Sequence, residues 1–340
     1  MNASIKTYLA AAAALFCASA QAAPYHVVAP MSDDDEGAMV YLVNYDTGQR
    51  IDSVLVDQGS AEFRGEIDEP VLARLLLDGQ RYATFILEEG GTAINKERNA
   101  TGSMLNDRLN AITDEINNLG LKFRAATSEQ EQQAIYADYN KLLDAALDEN
   151  ADNPIGYYLF LDKAGGLSRS EFAEAIAKYP AMARYERVKR YQQSFDRQEA
   201  TAEGKPFTDF EIEYNGTTHR LSDIVGHGDY VLVDFWASWC GPCRAEMPHI
   251  KEAYEHFKGK NLKVLGVAVS DDPKKSLDSA ASMELPWEIW VNGGMDVLGA
   301  YGIRSIPHLI LFGPDGKILA RNFRGENIIP TIEKYMGGAD

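Results

Sequence analysis

The chain has 340 residues and a formal net charge of −18, from 51 acidic against 33 basic side chains. That length suffices for two or three domains with cores of their own. The acidic balance argues against nucleic acid or an anionic membrane surface as a partner, because both are bound through clustered lysine and arginine.

The N-terminus reads as a secretory leader. Lys6 gives a positive start, Tyr8 to Phe16 form a short apolar core, and Ala18-Ser19-Ala20 and Ala20-Gln21-Ala22 are small-residue cleavage sites. Residues 1–22 are therefore expected to be removed, with cleavage near Ala22 or Ala23. The apolar core is too short to span a bilayer. Cys17 lies inside the leader, and Phe16 is not the small residue that a lipid-anchoring signal places before its cysteine, so lipidation is not expected. No later segment reads as a membrane span.

Residues 24–100 read as a small antiparallel β domain. Met39 to Val43, the stretch carrying Ile51, Val54 and Val56, the stretch carrying Ala61, Phe63 and Ile67, Val71 to Leu77, and Tyr82 to Leu87 are short runs of strand formers separated by Gly, Asp and Asn. Asp33-Asp34-Asp35-Glu36 reads as a solvated loop, with calcium binding as a weaker reading.

Residues 101–200 change to helical spacing, with Leu105, Leu109, Ile112 and Ile116 on one face. Ser128-Glu129-Gln130-Glu131 has capping-box spacing and opens a second helix; Asn153-Pro154 opens a third. Ser168-Arg169-Ser170-Glu171 caps a fourth, and a last helix is predicted from about Ala181 to Ala200, with Tyr185, Tyr191 and Phe195 as its buried stripe. Ala200 to Pro206 is small and polar, a linker composition.

The C-terminal region, residues 203–340, begins with a hairpin around Asn215-Gly216. Tyr230 to Trp236 and Leu262 to Val269 are buried strands, with a helix from Arg244 to Phe257 between them. Pro273 to Met283 and Met295 to Tyr301 are helical, Leu309 to Phe312 and Lys317 to Ala320 form a hairpin, and Asn327 to Tyr335 closes with a helix. This order predicts an α/β fold, a mixed sheet flanked by helices, preceded by the all-β and all-α segments.

With the leader gone, Cys240 and Cys243 are the cysteines left of three. No second pair exists to build a disulfide scaffold or a four-thiolate zinc site. Cys240-Gly241-Pro242-Cys243 lies at a strand-to-helix junction, where two thiols can close a disulfide and reopen it. The unpaired N–H groups and dipole at the helix start favour a thiolate at the first cysteine. Asp234 is a carboxylate inside a buried strand, costly to desolvate and therefore a candidate for function.

Val231-Leu232-Val233-Asp234-Phe235-Trp236-Ala237-Ser238-Trp239-Cys240-Gly241-Pro242-Cys243 resembles the thioredoxin active-site strand and loop, and Tyr301-Gly302-Ile303-Arg304-Ser305-Ile306-Pro307 resembles the thioredoxin segment that ends in a cis-proline. The longer flanking elements resemble the exported TlpA/ResA-like branch, and the leading domains resemble multidomain secreted thioredoxin-like proteins of Bacteroidetes. The resemblance implies that Cys240 attacks, Cys243 resolves the mixed disulfide, and Asp234 assists proton transfer at Cys243. It implies a cis peptide at Ile306-Pro307, with Pro307 against the disulfide and the Ile306 backbone offered to a substrate strand. Trp239, Gly241 and Pro242 are expected at the substrate-contacting lip, and Trp236 beneath the loop. The Gly-Pro spacer resembles reducing thioredoxins, near −270 mV, more than oxidants near −120 mV.

His308 departs from the family pattern, in which threonine commonly follows the proline. Three readings stand: a half-buried strand histidine, a group adjusting local proton affinity near pH 7, or a metal ligand beside the thiolates. Glu246 and Arg244 are expected to face solvent. The expected activity is an exported, periplasmic thiol–disulfide oxidoreductase that reduces protein disulfides, with no cofactor beyond its own cysteines, no resident metal and a membrane thiol carrier as electron donor. A disulfide isomerase that homodimerises through residues 24–200 is the alternative within that chemistry, and a copper(I)-binding protein the alternative outside it.

Overall fold

The computed structural model describes residues 22–337. The leader and Cys17 fall outside them, apart from Ala22. Chain contacts divide the protein into two compact units. One runs through Lys163 and takes in Ile176–Tyr185; the other comprises Ala164–Ala175 and the chain from Glu186 onward.

The first unit is built on eight strands: β1 (Ala23–Pro30), β2 (Met39–Asn44), β3 (Arg50–Leu55), β4 (Ser60–Ile67), β5 (Val71–Leu77), β6 (Gln80–Leu87), β7 (Gly90–Ile94) and β8 (Ala100–Thr101). They form two sheets, ordered β4-β1-β7-β8 and β3-β2-β5-β6. Alternate residues of both sheets point into one core: Val27, Ala61 and Phe63 from the first meet Leu42, Leu75 and Phe85 from the second. That alternation is the period-2 signature of half-buried strands. All pairings are antiparallel except β1 with β7, which is parallel. The acidic run is partly ordered: Asp33–Asp35 form a single 3-10 turn, and the Glu36 carboxylate accepts from the amides of Gln58 and Gly59.

Helices α1 (Met104–Ala125), α2 (Glu129–Glu149), α3 (Pro154–Ala164), α4 (Arg169–Lys178) and α5 (Glu186–Ala200) follow. The helical stretch is not a unit of its own. α1, α2 and nearly all of α3 belong to the first unit, α5 to the second, and α4 is divided. The Ser168 box is reciprocal, with Ser168 N donating to Glu171 at 2.8 Å and Glu171 N donating back at 3.4 Å. The Ser128 box is altered: Ser128 Oγ accepts from Glu131 N, but the Glu131 carboxylate turns back to Thr127 N. The last helix starts later than the spacing predicts. Pro180–Arg184 form a 3-10 turn, and the buried residues of α5 are Val188 and Phe195. Tyr185 falls before the helix and Tyr191 is half-buried.

The second unit holds a hairpin, β9 (Glu211–Tyr214) with β10 (Thr217–Arg220), and then β11 (Tyr230–Trp236), α6 (Gly241–His256), β12 (Leu262–Val269), α7 (Pro273–Ser282), β13 (Glu288–Gly293), α8 (Met295–Ala300), β14 (His308–Phe312), β15 (Ile318–Arg321) and α9 (Ile328–Met336). The sheet order is β13-β12-β11-β14-β15, with β11, β12 and β13 parallel and β14 and β15 antiparallel. β11 is central and buried on both faces from Val231 to Trp236, which is why it reads as a continuous apolar run broken by one carboxylate. On one face Leu232 and Trp236 pack with Met247 and Ile250 of α6 and Ile332 of α9. On the other, Val233 and Phe235 pack with Ile212, Val297 and Tyr301.

Gly302 marks where the segment leading to Pro307 passes α5. It has φ +62, and a Cβ there would stand 2.2 Å from the Ser194 carbonyl oxygen and 2.8 Å from Gln198 N. Gly302→Ala should therefore destabilise the second unit by about 2–4 kcal/mol, from backbone strain plus overlap with a rigid helix. All four tryptophans (Trp236, Trp239, Trp287, Trp290) lie in this unit. Urea unfolding followed by tryptophan fluorescence reads the loss directly, and an unchanged midpoint would contradict the close approach.

Candidate functional site

β11 delivers the chain to a turn at Ala237–Trp239, and Cys240 then serves as the N-terminal cap of α6. Cys240 and Cys243 form a disulfide, with their Cα atoms 5.3 Å apart. Cys240 Sγ accepts from Cys243 N at 3.2 Å, so a first-turn amide of α6 points at that sulfur. This is where a helix terminus stabilises a thiolate once the bond opens. Cys243 is fully buried and Cys240 is 4% exposed, while Gly241 and Pro242 between them face solvent.

The Ile306-Pro307 peptide is cis. The Ile306 carbonyl oxygen lies 3.9 Å from Cys240 Sγ, which places this turn against the disulfide. Pro307 is buried and Ile306 half-buried. Trp239 is 64% exposed, and its Nε1 donates to the Ser270 carbonyl at 3.1 Å. Its ring is thereby fixed as an apolar lip beside the thiol pair. The Asp271 carboxylate holds the loop from the other side, accepting from Ser238 N at 2.6 Å and Ser276 Oγ at 2.7 Å. Burial opposes the charge of Asp271, but the hydrogen bonds from Ser238, Ser276 and Asp272 outweigh it and hold the carboxyl below its usual range.

Asp234 is fully buried at the centre of β11, paired in register with Gly266 on β12 and Leu309 on β14. Strand alternation puts its side chain on the same face as Leu232 and Trp236, the face that also packs Cys243. Among the described residues, neither of its carboxylate oxygens has a hydrogen-bond partner. Burial, reinforced by the Glu246 carboxylate and opposed by Arg324, pushes its pKa up to about 8. The Trp236 indole N–H is likewise unpartnered, so the loop rests on a buried and polar-poor floor.

Two expectations from sequence need correction. Glu246 does not face solvent: it is 8% exposed, on the buried side of α6 with Cys243, Met247 and Ile250, and its Oε1 accepts from Gly325 N. Its position one helical turn beyond Cys243 carried that signal, because residues three apart share a helix face. Arg244 does face solvent. His308 is buried rather than half-buried. Desolvation, with Arg321 and Arg324, pushes its pKa down to about 3, so it stays neutral near pH 7. Its Nε2 lies 3.5 Å from Arg321 Nη2, which spends that nitrogen's lone pair on a cation and leaves the metal-ligand reading without support. Arg321 in turn donates to Thr201 and to the Tyr301 carbonyl, each at 2.7 Å. Arg324, not singled out from sequence, donates from Nη2 to the Pro307 carbonyl at 2.5 Å.

Comparison with known proteins matches one family model within each unit. A family model described as the AhpC/TSA family matches residues 204–321, and one described as a domain of unknown function (DUF4369) matches residues 25–109. The thiol-disulfide oxidoreductase ResA of Bacillus subtilis is 30% identical over 147 residues, covering 43% of this chain and 80% of that protein. ResA of Geobacillus kaustophilus is 34% identical over 130 residues, covering 38% of this chain and 73% of that protein. Among solved structures, the thioredoxin domain of a thiol-disulfide oxidoreductase from Bacteroides vulgatus is 32% identical and covers 40% of this chain and 98% of that one, with a TM-score of 0.37.

The buried carboxylate has a consequence for stability. Asp234 binds its proton up to about pH 8 in the folded protein but only up to its ordinary 3.8 when exposed. The stability tied to that proton is complete below pH 3.8 and is lost as pH rises towards 8. Asp234→Asn removes the titration. Its unfolding free energy should exceed that of the parent by a margin that grows between pH 4 and 8, reaching on the order of a few kcal/mol. Parallel denaturation curves at pH 4, 6 and 8 test this; a margin independent of pH would show that the carboxyl does not titrate in that window.

Proposed function

Since the chain belongs to the TlpA/ResA-like family of thioredoxin-fold thiol–disulfide oxidoreductases, we propose that it works outside the cytoplasm as a reductase of protein disulfides, with Cys240 and Cys243 as its redox couple. The observation that carries this reading is the disulfide itself, seated on the N-terminus of α6 between a solvent-facing Gly-Pro step and the Pro307 turn.

The proposed steps use the site as follows. In the reduced enzyme the Cys240 thiolate, favoured by the Cys243 amide and the N-terminus of α6, attacks one sulfur of a substrate disulfide. A Cys240–substrate bond forms, the substrate S–S bond breaks, and the departing sulfur leaves as a thiolate that takes a proton from solvent. Cys243 then gives its proton to the Asp234 carboxylate, and its thiolate attacks Cys240 Sγ. The Cys240–Cys243 bond closes, the Cys240–substrate bond breaks, and the second substrate sulfur leaves as a thiolate that takes a proton from solvent, while Asp234 later returns its own. Two electrons have passed from the enzyme dithiol to the substrate, and a further dithiol must supply them again; a membrane thiol carrier fits an exported protein. Trp239, Gly241, Pro242 and Ile306 border the exposed side of the sulfurs, where the substrate chain would lie. Export is supported by the leader sequence, and among the described residues no helix is long and apolar enough to cross a membrane.

The mature protein equilibrated with thiol redox buffers should show a reduction potential of about −250 mV or lower. A potential of about −180 mV or higher would instead assign it isomerase or oxidase work. Cys243→Ser should accumulate a Cys240–substrate mixed disulfide that survives acid quenching and is visible by mass, whereas Cys240→Ser should not. Equal trapping by both variants would reverse or abolish the assigned roles.

A further inference from the structure

Two neighbouring residues between β15 and α9 reach both walls of the site. Arg324 Nη2 donates to the Pro307 carbonyl at 2.5 Å and lies 3.4 Å from Asn322 Oδ1. The next residue, Gly325, sits at φ +58 and donates its amide to Glu246 Oε1. The first bond holds the turn that abuts Cys240, and the second holds a buried carboxylate on the helix that begins at Cys240.

We propose that Arg324 is a positioning residue for thiol–disulfide exchange: its guanidinium clamps the Pro307 carbonyl, fixing the substrate-facing turn against the Cys240–Cys243 loop, while the adjoining Gly325 amide fixes Glu246 among the buried carboxylates. The assignment rests on the reductase reading above. Its chemistry is that of a charge-assisted hydrogen bond, stronger than a neutral one and directional. A turn that presents backbone groups to an extended substrate must keep those groups in register, and a carbonyl held by a guanidinium cannot rotate freely.

The charge of Arg324 has a second use. The charged groups that bear on Asp234 are Glu246 from α6 and Arg324 from the segment after β15. Cys243 of α6 shares the same face of the sheet, β12 sets Gly266 opposite, and β14 sets Leu309. His308, also close to Arg324, is neutral. Among the described residues Arg324 is therefore the one cation acting on Asp234, and it favours the ionised carboxylate that must accept a proton. Because Arg324 itself is an exposed residue, water screens part of that effect.

The test uses the full mature chain and two variants, Arg324→Met and Arg324→Lys. With a peptide disulfide as substrate, Arg324→Met should raise KM by about fivefold or more, the loss expected for a charged hydrogen bond. Reduction of dithionitrobenzoate, a small disulfide that has no backbone to align, should stay within about twofold. The Asp234 carboxyl resonance should titrate about half a unit higher in Arg324→Met and return to the parent value in Arg324→Lys. Amide exchange at Ser305, Ile306 and His308 should quicken in the Met variant. Equal losses on both substrates, or an unmoved KM with unmoved exchange and titration, would overturn the proposal. If the parent protein reduces neither disulfide, the reductase reading fails. Exchange and titration still decide the clamp, because neither depends on turnover.

Discussion

Everything near the thiols is organised around one unpartnered carboxylate in the middle of a central strand. Asp234 occupies a position where both faces and both edges of β11 are covered. Burial disfavours the ionised carboxylate there, so the group holds its proton far above the usual carboxylate range while still releasing it near pH 8. The fold tolerates this only because the rest of the second unit over-determines β11. Parallel pairing to β12 and antiparallel pairing to β14 lock its register, and a separate apolar core presses on each face. A net stability of about 5–15 kcal/mol leaves little room for such a site in a weaker scaffold.

The other polar groups are arranged by the same constraint. Charges that must stay ionised are satisfied close to the surface of the site. Asp271 takes the amide of Ser238, and Arg324 takes the carbonyl of Pro307. Arg321 is given carbonyl and hydroxyl oxygens from Thr201 and Tyr301, with no carboxylate among those bonds. Its remaining reach is to His308, which is kept neutral. Two cations and a neutral imidazole thus lie behind the cis-proline turn, while two carboxylates lie beneath the helix that carries the cysteines.

What could be read from the sequence was local. β11, the C-G-P-C junction and Asp234 are adjacent in the chain, so a single apolar run interrupted by a carboxylate exposed all three. The short strands of the first unit could be read from their turn residues. Their pairing could not, because β1 joins β7 in parallel across the whole intervening sheet. Glu246 was missed because a charged residue is expected to face water until the element that covers it is known, and its partner Gly325 stands far away in the sequence. Arg324 does face water; its bond to the Pro307 carbonyl reaches across β14 and β15 and leaves no local sequence pattern. The shortened α5 had a different cause: Pro180 and the residues after it tighten into a 3-10 turn, so the helical phase set by Val188 and Phe195 does not extend back to Tyr185.

The cost of burying Asp234 is also what makes it useful in the exchange proposed above. A thiol in water loses its proton near pH 8.5, and a carboxylate at an ordinary 3.8 is a far weaker base. Moving a proton from one to the other would run uphill by about 6 kcal/mol. With the carboxyl raised to about 8, the same transfer is within about 1 kcal/mol of level. Matching proton affinities in this way is the general condition for efficient acid–base catalysis near neutral pH. The match does not require Asp234 to be well bonded; hydrogen bonds to its ionised form would lower its basicity and defeat it. The absence of partners at both oxygens among the described residues is therefore the feature that a buried proton acceptor needs, and the neighbouring Glu246 and Arg324 adjust its proton affinity in opposite directions.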